Sequence, residues 1–149
     1  TWVPADRDAG IAARGNEVAA RFAEPRALVE DLRAVAREAD AAAAATPDDR
    51  IVATWGPALR LDELLATRVL EMAVHGLDLA DALDRPPWLT RGAATITRAI
   101  LVRMLGSEPP AVQSMPDVAL FELATGRRVA GRAERIALGG LARRFPLLG

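Results

Sequence analysis

The sequence predicts an all-α protein, a bundle of mostly antiparallel helices followed by a small helical C-terminal piece. Three observations lead there. Apolar residues recur at helical spacing through most of the 149 residues. No stretch alternates convincingly as a strand, and no repeat period emerges. The breaks between periodic stretches are marked by Pro and Gly, as at Glu24-Pro25, Pro86-Pro87 and Gly139-Gly140.

The elements follow in order. Residues 1–8 read as a lead-in, with Asp8 as the N-cap of a helix over about 9–22. Ile11, Val18 and Phe22 give that helix an apolar side, and Arg14, Glu17 and Arg21 a charged one. Pro25 suits the first turn of the next helix, over about 25–45, because its missing N–H is one the first turn cannot pair anyway. Leu28, Leu32 and Val35 supply its apolar spacing, and the run Ala41–Ala45 is strong helix former. Residues 50–60 form a connection with an extended piece at Ile51-Val52 and a turn at Trp55-Gly56-Pro57. A long helix spans about Leu61–Leu83, stopped by Asp84-Arg85-Pro86-Pro87. Thr90 caps a helix over about 91–105 with a core face of Ala94, Ile96, Ile100, Leu101 and Met104, ended by Gly106. Residues 107–116 read as a linker, 117–124 as a short helix stopped by Gly126, and about 129–138 as another. The expected division is a bundle in residues 1–106 and a linker with a small helical extension in residues 107–149.

The helix at 61–83 organises the chain, because it carries the single histidine. Each residue advances about 100° around a helix, so Leu64, Arg68, Glu71, His75, Asp78 and Ala82 share one stripe. Leu61, Leu65, Met72, Leu79 and Leu83 lie on one side of it, and Leu70, Val74 and Leu77 on the other. Ionisable residues between two apolar flanks are expected to face a core or a cavity, where unpaired charge is costly.

Composition excludes several function classes. With 19 basic and 20 acidic residues the net charge is near zero, which suggests neither a nucleic-acid surface nor an acidic partner. Every basic residue is Arg, a codon-usage signature that says little about mechanism. There is no Cys, hence no disulfide and no thiol nucleophile from the chain itself. No apolar run approaches a membrane span and no signal peptide is evident, so the expectation is a soluble, cytoplasmic protein. Ser107 and Ser114 lack a nucleophile-elbow context, and no phosphate-binding loop is present.

Glu71 and His75 are the candidate metal ligands. Residues four apart on a helix have Cβ atoms about 5–6 Å apart, close enough for one ion to be held through bonds of about 2.0–2.2 Å. Imidazole with carboxylate suits zinc, and also iron, manganese or nickel. The other reading is a His bonded to a neighbouring Glu. Arg68 is either a fork for a substrate carboxylate or a salt-bridge partner. Asp78 either orients His75 or pairs with an Arg on a facing helix. Thr125-Gly126-Arg127-Arg128 is either an anion site or a solvated basic turn.

The segment ATRVLEMAVHGLDLADAL resembles the signature helix of the mycothiol-dependent maleylpyruvate isomerase family, in Arg68, Glu71, His75, Gly76, Leu77, Asp78 and Leu79. Trp55-Gly56-Pro57 and the later T-G-R-R are similar too, so that residues 50–130 resemble the family well and the earlier helices loosely. The resemblance implies a DinB-like four-helix-bundle fold. It implies a divalent metal, usually zinc, on Glu71, His75 and an upstream histidine that this chain lacks. That departure implies missing N-terminal helices, a third ligand from elsewhere such as Asp6, Asp8 or Glu17, or a lost metal. The chain begins at Thr1 without an initiator Met, and upstream sequence is expected.

The resemblance further implies mycothiol or another low-molecular-weight thiol as cofactor. A metal-bound thiolate would add to a small-molecule electrophile, for isomerisation or S-transfer. Arg68 would then be the substrate or cofactor clamp, and Asp78 a supporting group behind His75. The alternative is a non-catalytic helical bundle for small-molecule binding or protein association. A bundle face left open by missing helices would drive homodimerisation.

Overall fold

The computed structural model describes residues 5–54 and 56–148, and the side chains among them from residue 9 onward. Trp55 of the expected turn, and the side chains of Asp6 and Asp8, lie outside this description. The described residues are all-α apart from one two-stranded ribbon, as the sequence predicts. They fall into two compact units, residues 1–50 and 51–149.

The first unit holds α1 (Ala5–Ala19) and α2 (Pro25–Ala44). The first helix starts earlier than expected, so Asp8 lies inside its first turn and is not its cap. Pro25 sits in the first turn of α2 after the extended residue Glu24. No residue of α2 is buried. Its outer surface carries an Arg26–Glu30 pair at 3.0 Å, one helical turn apart.

The second unit opens with β1 (Ile51–Val52), paired antiparallel to β2 (Leu59–Arg60) with Ile51 opposite Arg60. Within the loop between them, Thr54 Oγ1 accepts from the Gly56 N–H (3.0 Å) and donates to the Pro57 carbonyl (2.8 Å). The ribbon runs directly into α3 (Leu61–Ala82), whose first turn carries Asp62 and Glu63 at the positive end of the helix dipole. Next comes α4 (Arg91–Leu105). Thr90 Oγ1 accepts from the Ala93 N–H, and Gly106 closes the helix in the left-handed region at φ 71°, where a side chain would be strained.

The expected linker at 107–116 contains a short helix, α5 (Pro110–Gln113), and is firmly held. Arg98 of α4 donates to the carbonyls of Val112 (3.0 Å) and Met115, and to Asp117 Oδ1 (2.6 Å). Then follow α6 (Asp117–Ala124), α7 (Arg132–Leu138) and a 3-10 segment (Gly139–Arg144). Arg144 donates to the carbonyls of Met104 (3.0 Å) and Leu105, which the end of α4 leaves without helical partners.

One core joins α3 and α4 to everything after Gly106. Leu77, Leu101, Leu105, Val112, Leu120 and Phe121 are its centre. The core face of α4 is Ala94, Thr97, Leu101 and Leu105, whereas Ile96 and Met104, expected inside, are exposed. Residues 94, 97, 101 and 105 fall on one stripe at spacings of three and four; 96 lies about 100° off it, whereas 104 lies at its edge, seven residues after Thr97.

Candidate functional site

The buried side of α3 is Leu61, Ala73, Val74, Leu77 and Ala80. Ala73 and Ala80 are small, and they let α4 pack close against this face. The ionisable stripe is therefore not enclosed, contrary to the expectation of a core-facing row. His75 is 68 % exposed and Glu71 is 53 % exposed. Beyond the stripe, Leu65, Met72, Leu79 and Leu83 also stand exposed. The amphipathic logic is thus ordinary on one side of the stripe and unusual on the other.

The stripe is nonetheless ordered by close contacts. His75 Nε2 lies 3.4 Å from Glu71 Oε2, and His75 Nδ1 lies 3.2 Å from Asp78 Oδ2. Asp78 in turn receives both nitrogens of an Arg127 fork, Nε at 2.5 Å on Oδ1 and Nη2 at 2.6 Å on Oδ2. The Arg127 guanidinium, helped by His75, holds the Asp78 carboxyl down from 3.8 to about 2, while Asp78 raises Arg127. An ionised carboxylate only accepts, and the shorter of the two contacts, Asp78 on Nδ1, is satisfied when Nδ1 carries the hydrogen. In neutral His75 the lone pair then sits on Nε2, facing the Glu71 carboxylate.

Arg127 reaches this place because of how α6 ends. Thr125 closes the helix with its hydroxyl on the Phe121 carbonyl (2.7 Å), and Gly126 turns the chain at φ 74°. The backbone N–H groups of Leu147 and Leu148 bond the Ala124 carbonyl at 2.7 and 3.0 Å, which fixes the tail beside the turn. Together Leu70, Glu71, Val74, His75, Thr125, Arg127 and Leu148 line a cavity of about 230 Å³. A second cavity, of about 300 Å³, lies under Trp88 and is lined by Met72, Leu77 and Leu89 among others, without any ionisable group. The first of these two is the one that brings His75, Glu71 and Arg127 together.

Of the residues singled out from sequence, Glu71, His75 and Asp78 come together. Arg68 stands apart, its Nε 3.4 Å from Thr67 Oγ1, and makes no ion pair among the described residues. The two arginines of T-G-R-R are neither a joint anion site nor a solvated turn. Arg127 grips Asp78, while Arg128 goes to Glu134 (2.6 Å) and the Ala119 carbonyl (3.0 Å). Arg127 is the site residue that sequence reasoning left unassigned. Its signal was an arginine placed directly after an apolar helix stop.

The donor atoms fit part of a metal site. Two ligands at about 2.0–2.2 Å in tetrahedral geometry sit roughly 3.3–3.6 Å apart, and Nε2 to Oε2 is 3.4 Å. Among the described residues, no cluster of three or more His, Cys, Asp or Glu forms a full set. Glu17, one expected substitute, is exposed on α1. No helix among the described residues is long and apolar enough to cross a membrane. The family model for the mycothiol maleylpyruvate isomerase N-terminal domain matches residues 3–80, a little over half of the chain. No curated protein and no solved structure matches it.

Proposed function

Because the chain belongs to the mycothiol maleylpyruvate isomerase N-terminal domain family, we propose that it is a metal-dependent thiol transferase or maleylpyruvate-isomerase-like enzyme. Its thiol is mycothiol or a similar small thiol, and its substrate a small electrophile. Glu71 and His75 supply two ligands for a divalent ion, matched best by zinc in its preference for imidazole and carboxylate. When bound, the ion supplies Lewis acidity that favours the thiolate form of a thiol at neutral pH.

The single observation that carries this reading is the pair of electron-donor atoms facing each other at 3.4 Å, with the opposite imidazole nitrogen already committed to Asp78. Two acceptors at that separation repel unless a cation or a proton lies between them. The charges agree: Glu71 and Asp78 are two carboxylates, and Arg127 balances one of them. The remaining negative charge favours a cation at Glu71. Asp78 orients the imidazole, and Leu70, Val74 and Leu148 give the cavity an apolar wall. Arg68, one turn before Glu71 but outside the cavity lining and without an ion pair among the described residues, is available to clamp a carboxylate of substrate or thiol cofactor.

A second reading takes a proton in place of the ion. Protonated His75 would bridge Glu71 and Asp78 as a surface ion-pair network on a non-catalytic bundle, and the exposure of both partners suits that role. Thiol-dependent turnover separates the two. The full chain, zinc-loaded, is assayed for isomerisation of maleylpyruvate with and without mycothiol, beside His75→Ala and Glu71→Gln. The enzymatic reading expects thiol-dependent turnover that both substitutions abolish. Absence of turnover in the unaltered chain, or equal turnover in His75→Ala, overturns it.

A further inference from the structure

We propose that Arg127 is a positioning residue for His75, acting through Asp78, so that the segment after α6 completes a site begun on α3. The inference rests on the reading of His75 as a metal ligand, and extends it to a residue 47 positions beyond the last residue matched by the family model.

The geometry forms a relay. A carboxylate at the surface of a helix has several rotamers and, alone, would not hold one imidazole nitrogen in one place. Arg127 removes that freedom with two hydrogen bonds, at 2.5 and 2.6 Å, one to each oxygen of Asp78. Asp78 Oδ2 is then aimed at His75 Nδ1 at 3.2 Å. The hydrogen is confined to Nδ1, and Nε2 turns its lone pair towards Glu71 Oε2 and the cavity. Without the fork, Asp78 can swing away, and the imidazole is free to place its hydrogen on Nε2, where it would block a ligand bond. Lysine at this position would keep the charge but lose the two-point grip.

The neighbouring structure serves this placement. Gly126 turns the backbone at φ 74°, beside Pro146, whose Cβ lies at ordinary contact distance (3.5 Å) from where a Cβ of residue 126 would be. The tail bonds at Ala124 pin the other side of the turn. Arg128, next in sequence, is tied to Glu134 and Ala119, which leaves Arg127 alone to face α3.

Because the chain has one histidine, its imidazole can be read without assignment ambiguity. Two-bond proton–nitrogen NMR spectra of the full chain, recorded without metal and well above the imidazole range, report which nitrogen carries the hydrogen. The expected result is the Nδ1–H tautomer in the unaltered protein and a shift towards Nε2–H in Arg127→Gln, with Arg127→Lys between them. An Nε2–H tautomer in the unaltered protein overturns the proposal, and that arm needs no variant to fold. So does an Arg127→Gln spectrum identical to the unaltered one in a sample whose amide spectrum shows the native fold.

Zinc titration of the same samples separates this inference from the reading beneath it. Affinity is expected to fall by up to about 10-fold in Arg127→Gln, less than the loss of Asp78, the ligand's own outer partner, would cause. A chain that holds the Nδ1–H tautomer but takes no zinc removes the metal reading and keeps the relay. A chain that takes zinc while its tautomer ignores Arg127 does the reverse.

Discussion

Replacing Asp78 by Asn keeps the shape of the side chain and removes the charge that Arg127 and His75 hold. Asp78 is held down from 3.8 to about 2. At about 1.4 kcal/mol per pH unit, that difference sets a ceiling of about 2.5 kcal/mol on its contribution to stability. The carboxylate is 45 % exposed, so solvent screening brings the expectation to about 1 kcal/mol. The sign follows from linkage. A carboxyl depressed in the folded state stabilises fully above its unfolded value of 3.8 and loses that contribution as pH falls towards about 2.

Urea unfolding followed by far-ultraviolet circular dichroism reads this directly. At neutral pH, Asp78→Asn should be about 1 kcal/mol less stable than the unaltered chain. The difference should shrink between about pH 4 and about pH 2, because protonated Asp and Asn are then alike. A double-mutant cycle with Arg127→Gln should assign most of the loss to the pair. Equal stability at neutral pH, or a difference that does not change on acidification, refutes the argument.

Other predictions follow from the core and the clamps. Leu101 is fully buried, so Leu101→Ala should cost about 2–5 kcal/mol in the same unfolding assay; a loss under about 1 kcal/mol contradicts the core described above. Thr97 Oγ1 is buried and has no hydrogen-bond partner among the described residues. Thr97→Val should therefore be neutral or stabilising by about 1 kcal/mol, and a clear destabilisation would reveal a hidden partner. Arg98→Met should release residues 107–116 from α4, seen as faster amide hydrogen exchange at Val112 and Met115; unchanged exchange there would show that the segment holds itself. Gly106→Ala should cost about 1–2 kcal/mol from the left-handed backbone alone, measured by thermal unfolding.

Much of the fold was legible because local chemistry decided it. Pro25 marks the start of α2, Thr90 and Gly106 bracket α4, and Gly126 follows the end of α6, as their residue types require. α1 starts four residues before the position the sequence predicts, because Asp8 is as good in a first turn as at a cap. The short helix α5 was hidden in a Pro-rich segment that long-range bonds from Arg98 hold in place.

The face of α3 was not legible for a different reason. Both flanks of the stripe are apolar, so periodicity offers two solutions, and only packing against α4 selects Val74 and Leu77 over Met72, which is left 77 % exposed. At the site, Glu71 and His75 were found from their spacing on a single helix. Arg127 was not, because 49 residues separate it from Asp78 and their meeting depends on where α6 stops and how the tail is pinned.

Zinc binding to the metal-free, purified chain tests the pairing of Glu71 with His75 most directly, read by competition with a chromophoric chelator. The account predicts one ion per chain, bound more than about 100-fold more weakly once His75 is replaced by Ala. No stoichiometric binding, or the same affinity in His75→Ala, would contradict it.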